Sequence, residues 1–288
     1  MIGVLLMAYG TPASLDEVEA FYTHIRGGRA PSPELLANLR ARYEAVGGRT
    51  PLLDITRQQA CALEKTLGSG YRVFVGMKHW HPYITESVAD MEAAGLENAV
   101  GLALAPHYSA LSVGAYIEAV RSDIPFRFVK SWHLQPAYLK ALAGHVREAT
   151  KGFEAETIVF TAHSLPRRIL DTADPYPDQL METARAVADR LTVSRWLFSY
   201  QSAGATPEPW LGPDILETLD RLAAEGRKRV LVAPIGFISD HLEILYDLDV
   251  QARQHAAVHG LELSRTQSLN ADPKLIQALK AAVLEALA

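Results

Sequence analysis

Thr157-Ile158-Val159-Phe160-Thr161-Ala162-His163-Ser164-Leu165-Pro166 is an apolar run that stops on a histidine and a turn. The chain has already written nearly the same phrase, Val4-Leu5-Leu6-Met7-Ala8-Tyr9-Gly10-Thr11-Pro12. Aligned on Ala8/Ala162 and Pro12/Pro166, Tyr9 and His163 fall in equivalent positions, 163 − 9 = 154 residues apart. A second pair follows: Asn98 to Leu104 runs into Ala105-Pro106-His107-Tyr108, and Arg229 to Val232 runs into Ala233-Pro234-Ile235-Gly236, at an offset of 234 − 106 = 128. Tyr71 to Met77 and Trp196 to Tyr200 supply a third buried run in each half. The fall in offset, 154 − 128 = 26, places about 26 extra residues in the first half, and Arg26 to Pro51 is the segment that accounts for them. Short apolar runs alternating with longer helical patterns predict parallel βαβ construction, here duplicated.

Length and composition suit two such units. With 288 residues, 49% of them hydrophobic, the chain can bury two cores, and a division into 1–125 and 126–288 gives two domains of ordinary size. A formal net charge of −5 gives no footing for a nucleic-acid partner. The single cysteine, Cys61, excludes a disulfide framework and a four-cysteine iron–sulfur or zinc site. No apolar run reaches the roughly 18 residues of a membrane span, and the N-terminal run passes straight into Tyr-Gly-Thr-Pro without a cleavage pattern. These features predict a cytoplasmic protein.

Helices fill the intervals. Ser14 and Glu17 have the spacing of a capping box. Pro33 suits a first helical turn, and the periodic Leu35, Leu36, Leu39, Tyr43 and Val46 continue that helix to Gly47-Gly48. It lies inside the extra segment, between Arg26-Gly27-Gly28-Arg29 and Arg49-Thr50-Pro51. Those basic flanks suit closure over an anion, or are simply a surface excursion with scattered arginines. Parallel sheets bind ligands beyond the carboxyl ends of their strands. Here those ends carry Tyr9, Lys78-His79-Trp80-His81, His107-Tyr108-Ser109 and His163-Ser164. After the last of the paired runs comes Asp240-His241-Leu242-Glu243, in which Asp240 and Glu243 read as a second capping box. Glu243, Asp247 and Gln251 recur at i, i+4 and i+8 on one helix face, either a solvent face or an ion track into a cleft.

Together, Ala8-Tyr9-Gly10-Thr11-Pro12, Tyr22-Thr23-His24-Ile25-Arg26, Ala162-His163-Ser164-Leu165-Pro166, Gln201-Ser202 with Trp210-Leu211-Gly212-Pro213, and Gly236-Phe237-Ile238-Ser239-Asp240-His241-Leu242-Glu243 resemble the ferrochelatases over essentially the whole chain. The similarity is greatest to the monomeric coproporphyrin ferrochelatases of Gram-positive type. It implies an α/β fold of two Rossmann-like domains with a porphyrin cleft between them, and a C-terminal helix at about 273–287 packing back on the first domain. It also implies insertion of Fe2+ as a substrate, with no organic cofactor and no iron–sulfur cluster. His163 matches the family's metal contact and proton acceptor, Glu243 its carboxylate partner, and Tyr9 the residue on the other side of the macrocycle.

The chemistry explains those residue types. Metallation removes two pyrrole protons while a hydrated ferrous ion sheds water, so the site needs a base near neutrality and ligands that hold iron briefly, as imidazole and carboxylate do. Coproporphyrin III carries four propionates where protoporphyrin IX carries two, and Thr11, Arg26, Arg42, Thr50 and Tyr116 fall on family positions that meet the substrate or line the cleft mouth. Gly27 departs from a second arginine often found there, and Thr50 replaces a serine. Lys78 and His79 match a pair near an outer metal site. Asp247 matches a ligand of a peripheral hydrated Mg2+, with Gln251 standing where a further carboxylate is usual, so a weak Mg2+ site is expected. The resemblance implies coproporphyrin III and Fe2+ as partners, with transient contact to the next haem-pathway enzyme. The alternatives are a protoporphyrin IX ferrochelatase, a cobalt or sirohydrochlorin chelatase, and a non-catalytic haem or metal carrier.

Overall fold

In the computed structural model, which describes residues 1–191 and 195–288, the repeated phrases become the central strands of two parallel sheets. The strands are β1 Ile2–Ala8, β2 Tyr71–Met77, β3 Asn98–Ala103, β4 Phe126–Val129, β5 Thr157–His163, β6 Trp196–Gln201, β7 Arg229–Ala233 and β8 Glu262–Arg265. They form sheets of order β2-β1-β3-β4 and β6-β5-β7-β8, parallel throughout. Order repeats as well as sequence, so the chain is a duplicated α/β protein. Central strands are covered on both faces and therefore read as unbroken apolar runs; Val4, Leu5, Leu6, Val159 and Phe160 are wholly buried. Of the four edge strands, β4 and β8, Phe126-Arg127-Phe128-Val129 and Glu262-Leu263-Ser264-Arg265, are only four residues long and interrupted by charged residues, which hid them in the sequence. Because β4 pairs with β3, the first sheet runs to Val129, and the expected division at 125 falls one strand too early.

The helices are α1 Val18–Ile25, α2 Pro33–Ala45, α3 Leu52–Leu67, α4 Ile84–Ala93, α5 Ala115–Ala119, α6 Pro136–Lys151, α7 Tyr176–Leu191, α8 Ile215–Ala224, α9 Leu242–Leu245, α10 Arg253–Val258 and α11 Pro273–Leu287. Among the described residues no helix is long and apolar enough to cross a membrane. Helix α2 is the extra segment; Ser32 caps it by accepting from the Leu35 amide at 3.3 Å. Helix α11 packs against α3, α6, β3 and β4, and Arg127 of β4 donates to the Ala286 and Leu287 carbonyls at its end.

Neither predicted capping box forms. Glu17 accepts instead from the Ala13 amide and from Trp80 Nε1, both at 2.8 Å, because Trp80 packs edge-on against Phe21 of α1 and brings its indole N–H within reach. Asp240 turns away from its own helix to accept from Ser268 Oγ at 2.7 Å and Asn270 Nδ2 at 2.9 Å. Residue 241 is the extended residue before α9. Asp240 thus pins the loop after β7 to the loop after β8 and frees the next side chains for the cleft.

Candidate active site

Two joined cavities open at the carboxyl ends of both sheets. One, of about 260 Å³, is lined by residues including Lys78, Tyr116, Tyr176 and Phe237; the other, of about 650 Å³, by residues including Thr11, Arg42, Thr50, Asp247 and Gln251. The larger lies within the range of ligand clefts, roughly 300–1,000 Å³. Tyr9, Leu52, His163, His241 and Glu243 line both, so the lobes meet at these five side chains, four of them polar.

Local structure places each of them. His163 is the last residue of β5, and its Nδ1–H donates to the Ser164 carbonyl, which directs Nε2 toward Glu243 Oε1 at 3.4 Å. On the other side of the carboxylate, His241 Nε2 lies 3.4 Å from Glu243 Oε2 while its Nδ1–H donates to the Ser239 carbonyl at 2.8 Å. Both rings therefore spend one nitrogen on the backbone and aim the other at one carboxylate, an arrangement that fixes tautomer and orientation. Tyr176 Oη donates to the His163 carbonyl at 2.9 Å and Gln201 Nε2 to the Glu243 carbonyl at 2.9 Å, which steady the two backbones. Gln59, fully buried on α3, reaches across to Ser239 Oγ at 3.0 Å and ties the first domain to the loop that carries His241.

Electrostatics make this cluster an ion pair. Burial pulls the His163 pKa down, but the charge and hydrogen bond of Glu243 more than offset it and lift the imidazole to about 9. Burial likewise works against the Glu243 carboxylate, yet His163 and His241 hold it well below its ordinary value. Opposite them, Tyr9 follows β1 at the equivalent strand end. Burial, then the negative charge of Glu243, push its phenol above the ordinary value, so it stays neutral.

The remaining predicted residues are spread around this cluster. Thr11, Thr50 and Tyr43 form a hydroxyl cluster, with Thr11 Oγ1 2.8 Å from Thr50 Oγ1 and 3.4 Å from Tyr43 Oη. Arg42 of α2 pairs with Asp247, lies over the Tyr246 ring at 4.9 Å, and so bolts the extra helix across the cleft mouth. The other Asp247 oxygen accepts from Ser202 Oγ; Ser202 takes the uncommon φ of 60° that aims it there. Burial raises the Asp247 pKa against the pull of Arg42. Both oxygens of the expected Mg2+ ligand are thus occupied by protein donors, and Gln251 lines the same wall.

Lys78 and Tyr116 line the smaller lobe, the ammonium 5.5 Å from the ring centroid. Burial lowers the Lys78 pKa, as it raises that of the Tyr116 phenol. His79 stands behind Tyr9, ring centroids 4.6 Å apart, with its Nδ1 3.2 Å from Nδ1 of His24; burial, Lys78 and His24 depress it to about 3. His81 lies outside, paired with exposed Glu86. Arg26 lies over Tyr22 at 5.8 Å; Tyr22 and Ile25 of its turn line the cleft, while Arg26 does not. Sequence reasoning missed His241, although a histidine two residues before Glu243, at the start of the same helix, was a usable signal.

Comparison with known proteins places the whole chain in one family. The ferrochelatase family model matches residues 1–287. A ferrochelatase of Herpetosiphon aurantiacus is 47% identical over 97% of each chain, and a coproporphyrin III ferrochelatase of Anoxybacillus flavithermus is 42% identical over 100% of this chain and 96% of its own. Among solved structures, a sirohydrochlorin chelatase of Bacillus subtilis subspecies spizizenii in complex with cobalt superposes with a TM-score of 0.57 at 10% identity, covering 99% of this chain and 94% of that one. At that identity the likeness concerns the duplicated fold.

Proposed function

Because the chain belongs to the ferrochelatase family, we propose that it inserts Fe2+ into coproporphyrin III, with His163 as metal contact and proton acceptor and Glu243 as its partner. The observation that carries this reading is the His163–Glu243–His241 cluster at the junction of the two lobes, facing neutral Tyr9. A flat macrocycle between Tyr9 and His163 would offer its pyrrole nitrogens to Nε2, the nitrogen that the Ser164 carbonyl leaves free. The donor set fits Fe2+ as a passing substrate: imidazole nitrogen and carboxylate oxygen, with no thiolate among the cleft lining.

Resting His163, lifted to about 9, is an imidazolium near neutral pH. An approaching dication disfavours that proton, so metal entry and proton loss are coupled. The proton leaves Nε2 by way of Glu243, and Glu243 reaches His241 at 3.4 Å. Neutral His163 then accepts a pyrrole proton, and repetition for the second pyrrole balances the exchange of two protons for one Fe2+. Glu243 serves by orienting His163 and by holding the charge.

The coproporphyrin assignment is supported by relatives that bear that name and by the polar mouth of the larger lobe, where Thr11, Thr50 and Arg42 offer donors to propionates. Arg26 belongs to the proposal as a donor that swings in from the lip. The cytoplasmic, monomeric enzyme and a transient haem-pathway partner are parts of the same proposal. Anaerobic Fe2+ insertion followed spectroscopically with coproporphyrin III and protoporphyrin IX tests it: coproporphyrin III should give the higher kcat/KM, and a preference for protoporphyrin IX would reject the substrate while leaving the chelatase reading intact.

A further inference from the structure

Away from the cleft, three metal-ligating side chains converge on one point. Asp220 extends from α8, and His255 and His259 lie four residues apart at the end of α10, so the two rings share a helix face. His255 Nε2 lies 2.6 Å and His259 Nε2 3.4 Å from the same Asp220 oxygen, Oδ1. The rings lie 4.6 Å apart, inclined at 37°, and one ligand atom from each of the three residues falls within 4.8 Å of the others.

We propose that Asp220, His255 and His259 form a site for a divalent d-block cation of the Zn2+ type, distinct from the iron-inserting cleft. Two imidazoles and one carboxylate suit such an ion, whereas Mg2+ and Ca2+ require shells of oxygen. Tetrahedral bonds of about 2.0–2.1 Å separate neighbouring ligand atoms by roughly 3.3 Å. The His259–Asp220 separation already has that value. The His255–Asp220 hydrogen bond must open by less than about 1 Å to reach it, a movement within the freedom of the half-exposed Asp220 side chain. Because all three side chains are accessible, the fourth position falls to water.

The position gives the site a consequence. Helix α10 ends the helical run that begins at Leu242 and carries Glu243, Asp247 and Gln251 along the cleft wall, while α8 is capped by Asp214, itself a lining residue. A cation here clips the far end of that wall to α8 without touching the reacting groups, so it stabilises the fold and leaves the chemistry alone.

Zn2+ itself is the probe. In a His163→Ala background, which removes a ligand of the cleft, equilibrium dialysis should retain one Zn2+ per chain. Adding His255→Ala with His259→Ala, or Asp220→Ala, should weaken that binding by at least about tenfold. Zn2+ should also raise the melting temperature of the chain with the site and not of the chain without it. Co2+ in the site should show the visible absorption of tetrahedral coordination. Should the double histidine variant be unstable without metal, Asp220→Asn, which keeps a hydrogen-bond acceptor and loses the charge, decides the matter by the same dialysis. Binding unchanged in these variants, or no Zn2+ held in the His163→Ala background, overturns the site. Iron insertion by His255→Ala/His259→Ala with His163 intact should remain within twofold of the native rate.

Discussion

Glu243→Gln removes the charge at the centre of the site and keeps its shape. In the native chain His163 is lifted from 6.5 to about 9, with burial opposing and Glu243 driving the change. At about 1.4 kcal/mol for each unit of pH, that difference places roughly 3 kcal/mol on the imidazolium form in the folded protein. The folded value lies above the unfolded one, so this stability is complete below pH 6.5 and is lost as the pH rises from 6.5 to about 9. The depressed Glu243 carboxylate is the other half of the same pair and adds no second contribution over that window. With an amide in place of the carboxylate, burial dominates and His163 should titrate below 6.5. Proton–carbon NMR of the metal-free protein reads that titration directly, and urea unfolding at pH 6 and pH 9 reads the energy. Between those two pH values the native chain should lose about 3 kcal/mol more than Glu243→Gln. Insertion by the variant should be slower by about 10²-fold, the scale of a lost acid–base partner. A native His163 titrating near 6.5, or one that stays near 9 in the variant, would refute the reasoning.

His163→Ala should abolish insertion while porphyrin affinity, measured by fluorescence quenching, stays within about tenfold, because cleft area and propionate contacts hold the ring. Arg42→Ala leaves Asp247, 4% exposed, as a buried charge without its cation; urea unfolding should show a loss of about 3 kcal/mol or more. Mg2+ should stimulate insertion weakly, since Arg42 and Ser202 already occupy the Asp247 oxygens, and Gln251→Glu should strengthen the stimulation in a titration at fixed ionic strength. His79→Ala should change apparent metal affinity through its contact with Tyr9, whereas His81→Ala, on an exposed pair, should not.

What the sequence discloses follows from how locally each feature is encoded. Central strands are legible because burial on both faces leaves a continuous apolar record, and that record located Tyr9 and His163 at equivalent ends. Edge strands β4 and β8 carry no such record. The spacing that suggested capping boxes at Ser14 and Asp240 is equally compatible with long-range partners. Trp80 in the first case, and Ser268 with Asn270 in the second, won that competition. Glu243, Asp247 and Gln251 do line one wall, although the helix widens to a π-turn at Asp247–Ala252 between α9 and α10, a local irregularity that periodicity alone does not reveal. The Arg42–Asp247 pair joins residues 205 apart in the chain, and nothing in the pattern near either residue announces the other.

Duplication alone would give a symmetric cleft, and the chemistry needs an asymmetric one. The asymmetry begins at the loops after β3 and β7, where Ala105-Pro106-His107-Tyr108 answers Ala233-Pro234-Ile235-Gly236. At Gly236 a Cβ would lie 2.4 Å from Ala162 Cβ and 2.8 Å from its Cα, so only glycine lets this loop lie against the end of β5. Its amide donates to the Thr161 carbonyl at 3.0 Å, and the chain then runs on through Ser239 to His241 and Glu243 beside His163. In the first half Tyr108 stands at the matching place, and the loop turns into the Ser109-capped π-turn that leads to Tyr116. At the other strand end Gly10, with φ of +103°, brings the backbone so close to Trp80 that a Cβ would lie 2.9 Å from its amide nitrogen, which sets Tyr9 against His79. One strand end therefore gains a carboxylate flanked by two imidazoles, and the other a phenol held neutral. A cation entering between them meets a carboxylate on one side only, and under the proposed reading a planar ligand in the same space would have one face against the phenol and the other against the groups that exchange protons.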